Sequence, residues 1–176
     1  MDKYITIPLS KTGNKYRGLY ETKVSPEDID LSNLDWSVNV KVINGRLYLY
    51  AQRTVRDPVQ RLEQLHRVIL ARMLEGDKPL EDDELVDHID GNGLNNQRSN
   101  LRRATHAENN ANTCKSINNT SGFKGVSFDV LSGKWKAYIR INSKQKTLGR
   151  FQTREEAYEA YCKAALVARG KFARFE

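Results

Sequence analysis

Leu85-Val86-Asp87-His88-Ile89-Asp90-Gly91-Asn92-Gly93-Leu94-Asn95-Asn96, then Asn100-Leu101-Arg102-Arg103-Ala104 and Thr105-His106-Ala107-Glu108-Asn109-Asn110, decide the fold. Leu85-Val86 reads as a short strand ending at Asp87-His88. The loop after it is built from Asp, Gly and Asn, residues that tolerate turn conformations. Leu101 to Ala104 reads as a second short strand. Thr105 and Glu108 then form a capping box, which starts a helix with Asn109 in its first turns. The expected unit is therefore strand, loop, strand and helix.

Upstream, Asp57-Pro58 is expected to open a longer helix. Val59, Leu62, Leu65, Ile69, Leu70 and Met73 recur at helical spacing, and Gly76 would close it. His66 falls inside this helix, either packed beneath the site or touching phosphate. Residues 1–56 read as a small β-rich region. Tyr4-Ile5-Thr6-Ile7 and Leu47-Tyr48-Leu49-Tyr50 favour strands, and Asn44-Gly45 is a strong hairpin signal. Ser25-Pro26-Glu27-Asp28 resembles a helix start with Ser25 as its cap.

Downstream, Ser116 to Gly122 reads as a linker. Three β-like segments follow, Phe123–Val130, Lys134–Ile141 and Lys146–Phe151, with turns at Leu131-Ser132-Gly133 and Asn142-Ser143. A second capping box, Thr153 with Glu156, begins a helix whose Ala157, Ala160, Tyr161, Ala164, Ala165 and Ala168 share one face. Gly170 ends it. Small residues there let the helix lie close to a sheet. The expected class is α+β, with parts 1–56, 57–116 and 117–176.

Charge separates these parts. Of 176 residues, the segment 117–176 carries 12 Lys and Arg against 5 Asp and Glu, which is the whole net charge of +7. Residues 1–116 balance at 17 of each sign. A concentrated basic excess points to a polyanion-binding module joined to a neutral body. There is no apolar run of membrane-spanning length and no signal-peptide pattern at the start. A soluble, cytoplasmic protein that avoids membranes is expected. Cys114 and Cys162 are far apart, and with three His they supply no four-ligand zinc pattern.

The central residues can carry chemistry. Asp87 and the side-chain carbonyl of Asn109 are hard oxygen ligands, suited to Mg²⁺ or Mn²⁺. His88 follows Asp87 on a strand, points to the opposite face, and could serve as a general base on water. Asn100 could hold the loop by bonding backbone near His88. An EF-hand is excluded for Asp87 to Asn92, because the alternating acids and the closing Glu are missing.

Leu65-His66-Arg67, Val86 to Asn92, Asn100-Leu101-Arg102 and Thr105 to Asn110 resemble the HNH nucleases of phage and homing type. The resemblance implies a ββα-metal fold in which Asp87 and Asn109 bind the metal. It makes His88 the general base and Asn100 the middle Asn. Asn109 stands where the family name carries its last His. His106, Arg102 and Arg103 become candidates for gripping phosphate or stabilising the departing oxyanion.

The tail carries a second resemblance. Gly122-Phe123-Lys124-Gly125-Val126, Lys134-Trp135-Lys136-Ala137-Tyr138-Ile139-Arg140, Leu148-Gly149-Arg150-Phe151, Thr153 to Ala157 and Gly170 to Ala173 resemble the plant ethylene-response-factor (APETALA-type) DNA-binding domain. That implies a three-stranded antiparallel sheet, backed by one helix, lying in the major groove. Strand alternation places Lys136, Tyr138 and Arg140 on one face and Trp135, Ala137 and Ile139 on the other. Lys124, Lys144 and Lys146 join the first set as phosphate or base contacts. Ser127-Phe128-Asp129 replaces the family's Arg-rich first strand and Thr147 its Trp, so sequence preference does not transfer.

The resulting expectation is a monomeric, metal-dependent endonuclease acting on double-stranded DNA, with no protein partner, in a bacterial or phage-infected cell. The rivals are a regulator that only binds DNA through its tail, and an RNA-binding or scaffold protein.

Overall fold

The computed structural model describes residues 3–10, 19–74, 80 and 84–175. The chain is a mixture of small sheets and few helices, and it divides into two compact units, Met1–Ala104 and Thr105–Glu176. In chain order the first unit holds β1 (Ile5–Pro8), β2 (Glu21–Val24), β3 (Ser37–Ile43), β4 (Arg46–Val55), β5 (Arg61–Gln64), α1 (Leu65–Met73), β6 (Leu85–His88), β7 (Asn95–Asn96) and β8 (Leu101–Ala104). The second holds α2 (His106–Ala111), β9 (Val126–Asp129), β10 (Lys134–Ile141), β11 (Lys144–Phe151) and α3 (Arg154–Arg169). Among the described residues no helix is long and apolar enough to cross a membrane.

Among the described residues three sheets build the first unit, in the orders β1-β2-β7, β3-β4-β5 and β6-β8. Asn44 and Gly45 turn the β3–β4 hairpin with φ of 50° and 76°, the paired positive values that the Asn-Gly signal calls for. Alternation along these strands sends Val38 and Ala51 inward, where they meet Trp36, Leu65 and Ile69 in one buried cluster. The Trp36 indole N–H donates to the Leu31 carbonyl at 2.9 Å, so its burial leaves no polar atom unpaired there.

Two expectations for this unit change. The helix does not begin at Asp57-Pro58; α1 starts at Leu65. Residues 61–64 instead form β5, pairing with β4 from Gln52↔Gln64 to Val55↔Arg61, and the pairing is reinforced by the 2.7 Å ion pair of Arg53 with Glu63. Val59 and Leu62, which fit the helical spacing, are 71 % and 66 % exposed and contribute nothing to the core. Gly76 lies outside the described residues, as does most of the acidic stretch beginning at Glu81. The second change concerns Ser25. It precedes a 3₁₀ segment, Pro26–Asn33, but its hydroxyl caps nothing there and accepts the Arg98 backbone N–H at 2.9 Å. Asp28, fully buried, takes two contacts of 2.8 Å from the Arg98 guanidinium, tying the 3₁₀ segment to the stretch just before Asn100.

In the second unit β10 is the middle strand of an antiparallel sheet in the order β11-β10-β9. Ala137 and Ile139 are buried and meet the α3 face built on Ala157, Tyr161 and Ala165. Gly125 (φ 73°) makes the close approach possible, because a Cβ there would come within 2.1 Å of the Tyr161 ring. Both capping boxes form, Thr105 with Glu108 on α2 and Thr153 with Glu156 on α3. Ser116 to Gly122 is no slack linker. Ser121 is buried, with its hydroxyl 2.9 Å from the carbonyls of Phe123 and Val126, and Asn119 donates to the Phe123 carbonyl at 2.9 Å.

Candidate active site

The β6–β8 pair sets the centre of the site. Its register places Asp87 opposite Arg102 and His88 opposite Leu101. Facing residues on adjacent strands bring their side chains together. Asp87, 3 % exposed, accordingly accepts Arg102 Nε at 2.7 Å and meets Arg102 Nη2 at 2.6 Å, both on Oδ2. Arg103, one position on, faces away and pairs with Glu84.

His88 projects from the other face of β6 and is also buried. Its ring lies edge-on to that of His66, with centroids 5.1 Å apart, and 6.2 Å from that of Tyr50. His66 is thus brought to the site by the first turn of α1. Burial holds the His88 pKa below its ordinary 6.5, against the opposing pull of Asn96, Asp90 and Asp87. Its imidazole is therefore neutral at neutral pH, the form a general base needs. Burial pushes His66 down to about 3, with His88 and Arg67 adding to the shift.

Asn100 organises the loop between the strands. Its Oδ1 accepts the Asp90 N–H at 3.0 Å, while Nδ2 donates to Asp90 Oδ1 at 2.9 Å and to the Asn95 carbonyl at 2.8 Å. The Asn100 carbonyl takes the Ile89 N–H at 2.9 Å. Asp90 in turn accepts the Asn92 N–H at 2.8 Å and the Asn95 amide at 2.7 Å. The Gly- and Asn-rich chain is thereby closed on itself just after His88.

A segment ordered this way, with an Asp-His pair ending one strand and an Asn fastening the next, matches the HNH endonuclease family over residues 63–111. The chain is also 34 % identical over 99 residues to Protein 3.8 of Escherichia phage T7, a match covering 55 % of this chain and 79 % of that protein. The chain carries an HNH endonuclease domain. A mimivirus protein named "Uncharacterized HNH endonuclease L560" (Acanthamoeba polyphaga mimivirus) is 38 % identical over 110 residues, covering 62 % of this chain. The chain spans about half, 55 %, of that relative's length. No solved structure is significantly similar to it.

Within the HNH segment, Asp87, His88, Asn100 and Arg102 come together in the first unit. His106 and Asn109 belong to α2 in the second unit, the former exposed and the latter half-buried. Among the described residues no three His, Cys, Asp or Glu side chains converge on one point. A cation would therefore draw on a carboxylate, amide oxygens and water. That donor set, with no thiolate, suits a hard divalent ion.

On the sheet of the second unit, Arg140, Lys144 and Lys146 are exposed and Lys136 and Tyr138 half-buried. Arg150 faces Lys136 across β10 and β11 and adds a cation to that face; its 2.6 Å ion pair with Asp129 holds it in place. Lys124 differs from the other lysines. Its ammonium donates to the carbonyls of Ala111 and Thr113, the former at 2.9 Å, where it caps the end of α2. Burial, with Arg169 and Arg174 nearby, lowers its pKa to about 8.

Sequence reasoning passed over Asn96, Thr22, Tyr50 and Arg150. Simple alternation along β11 would group Arg150 with Lys144 and Lys146. The register shift beside Ala137 and Tyr138 instead turns Arg150 to the Lys136 face and leaves Lys144 and Lys146 opposite Ile141 and Ile139, off the face expected for them. Asn96 looked like one more loop amide, and Thr22 and Tyr50 reach the site only through tertiary folding.

Proposed function

We propose that this chain is a divalent-metal-dependent endonuclease that hydrolyses phosphodiester bonds in duplex DNA, of the phage or homing type. The observation that carries the reading is His88: a buried imidazole, kept neutral, beside a buried Asp87 at the end of a strand within the HNH segment. In this reading the pair of strands and α2 form a ββα-metal unit. Asp87 and Asn109 would hold Mg²⁺ or Mn²⁺, which when bound neutralises charge gathering on the phosphoryl and leaving oxygens. His88 takes the proton from water. Asn100 keeps the loop, and so His88, in register. Arg102, seated on Asp87, and Arg103 and His106 would serve as phosphate or leaving-group contacts.

The second unit docks the duplex. In this reading Lys136, Tyr138 and Arg140 would form the contact face, with Arg150 beside Lys136; Lys144 and Lys146 pair with Ile141 and Ile139 and lie off that face, and Lys124 braces α2. The chain works as a monomer, and its phage and virus relatives fit action inside an infected cell.

Purified protein incubated with supercoiled plasmid tests the reading. Cleavage is expected with Mg²⁺ or Mn²⁺ and lost on adding EDTA. His88→Ala should bind duplex as the parent does and leave the plasmid intact. Equal cleavage by that variant refutes the role of His88. A second reading, DNA binding without cleavage, draws on the Arg102 guanidinium already neutralising Asp87; shifted but uncut plasmid under every ion would favour it.

A further inference from the structure

A neutral imidazole carries its proton on one of two nitrogens, and only the other offers a lone pair to water. Which nitrogen of His88 does so can be worked out from its neighbours. His88 Nε2 lies 3.2 Å from Asn96 Oδ1. Asn96, on β7, is fully buried, and the other end of its carboxamide, Nδ2, lies 2.7 Å from Thr22 Oγ1 and 3.4 Å from the Gly93 carbonyl. Thr22, on β2, is fully buried too, with its hydroxyl 2.8 Å from the Leu94 carbonyl.

A backbone carbonyl can only accept. The Thr22 hydroxyl therefore spends its hydrogen on Leu94 and must receive one from Asn96. The Gly93 carbonyl asks for the same NH₂ end. Asn96 is left with its oxygen towards His88, and an amide oxygen cannot donate. Nε2 must supply the hydrogen. The parallel pairing of β2 with β7, and the 2.9 Å bond from the Lys23 N–H to the Leu94 carbonyl, hold the whole relay in place.

We propose that Thr22 and Asn96 are positioning residues that lock His88 as its Nε2–H tautomer and so make Nδ1 the atom that takes the proton from water. This rests on His88 being the general base. In the step itself a water O–H bond breaks and Nδ1 receives the proton. The oxygen keeps the electron pair and attacks phosphorus, and the leaving oxygen departs with the P–O pair. The imidazolium that results still donates from Nε2 to Asn96, so the relay serves both protonation states. Thr22 lies well before the segment matched by the HNH family, which begins at residue 63. The N-terminal sheet is by this account part of the working site.

Long-range ¹H–¹⁵N spectra of the metal-free, ¹⁵N-histidine-labelled full chain read the tautomer directly, with no cleavage involved. Wild type should show His88 as the Nε2–H form. Thr22→Val, nearly isosteric, removes the hydroxyl that orients Asn96. It should give mixed tautomers and lower kcat with Mg²⁺ roughly 10- to 100-fold, the scale on which supporting hydrogen bonds act, while KM for duplex moves little. Thr22→Ser should recover both tautomer and turnover. An Nδ1–H form in wild type overturns the proposal, and so does Thr22→Val with tautomer and kcat unchanged. If Thr22→Val fails to fold, the wild-type and Thr22→Ser spectra still decide. Cleavage by His88→Ala would instead remove the base itself and leave the tautomer result standing.

Discussion

His66 makes the stability of the first unit depend on pH in a way that can be worked out in advance. Its ring is buried against His88 and Tyr50, and among the described residues Nδ1 has no hydrogen-bond partner. The folded pKa of about 3 lies far below the unfolded 6.5. Folded His66 stays neutral while the unfolded chain takes up a proton. Stability is therefore intact above pH 6.5, falls as the pH drops below it, and stops falling near pH 3. Each pH unit inside that window costs about 1.4 kcal/mol, so about 2 kcal/mol is lost between pH 8 and pH 5. His66→Leu abolishes the proton uptake and leaves no buried nitrogen to satisfy. Urea unfolding followed by Trp36 fluorescence, in a Trp135→Phe background so that only the first unit reports, measures the effect at both pH values. Groups remote from His66 contribute equally to parent and variant and cancel in the difference. The variant should gain about 2 kcal/mol on the parent in going from pH 8 to pH 5. A difference that stays constant across the two conditions would refute the reasoning.

Two other perturbations have defined outcomes. Gly93→Ala would place a Cβ 2.3 Å from the Leu49 carbonyl and 2.7 Å from the Tyr50 ring; forcing the backbone apart should cost about 1–3 kcal/mol in urea unfolding and disturb the ring beside His88, and a variant as stable as its parent would show that the backbone there yields freely. Lys136→Ala and Arg140→Ala should each weaken duplex binding and reduce the slope of log K against log salt by about 0.9 for every phosphate no longer neutralised, whereas unchanged slopes in titrations at graded salt would move the docking surface off the β10 face.

Local signals were legible in the chain, and non-local ones were not. Asn44-Gly45, the Thr105 and Thr153 capping boxes and the alternation through Lys136, Ala137, Tyr138 and Ile139 each act within a few residues, and the structure has each of them at those positions. The helical spacing of Val59 and Leu62 misled because a 3.6-residue period carries no information about a neighbouring strand. β4 offered an open edge, and pairing with it took residues 61–64 out of the helix. Asp87 and His88 could be singled out since two chemically distinct groups at a strand end stand apart from their surroundings. Thr22 could not, because the hydrogen bond that gives it meaning spans 74 residues.

That long reach bears on what an HNH segment needs around it. Among the described residues of the first unit's core, Leu65, Ile69, Leu94 and Leu101 belong to the matched stretch, while Ile7, Leu9, Val24, Leu31, Trp36, Val38 and Ala51 all precede it. The same division holds at the site. His88, Asn100 and the neighbouring His66 sit on elements of the matched stretch, yet a second ring beside His88 is Tyr50 of β4, and the amide facing it is oriented from β2. Asp28 reaches in from the 3₁₀ segment to hold Arg98, just ahead of Asn100. A hairpin of such short strands with a polar loop buries too little to fix its own side chains. A general base must be fixed to be of use, since proton transfer depends on which lone pair faces the water. The N-terminal sheets supply the missing core and, on the proposed reading of His88 as the base, its orientation too, so that stability and catalytic geometry would depend on the same residues.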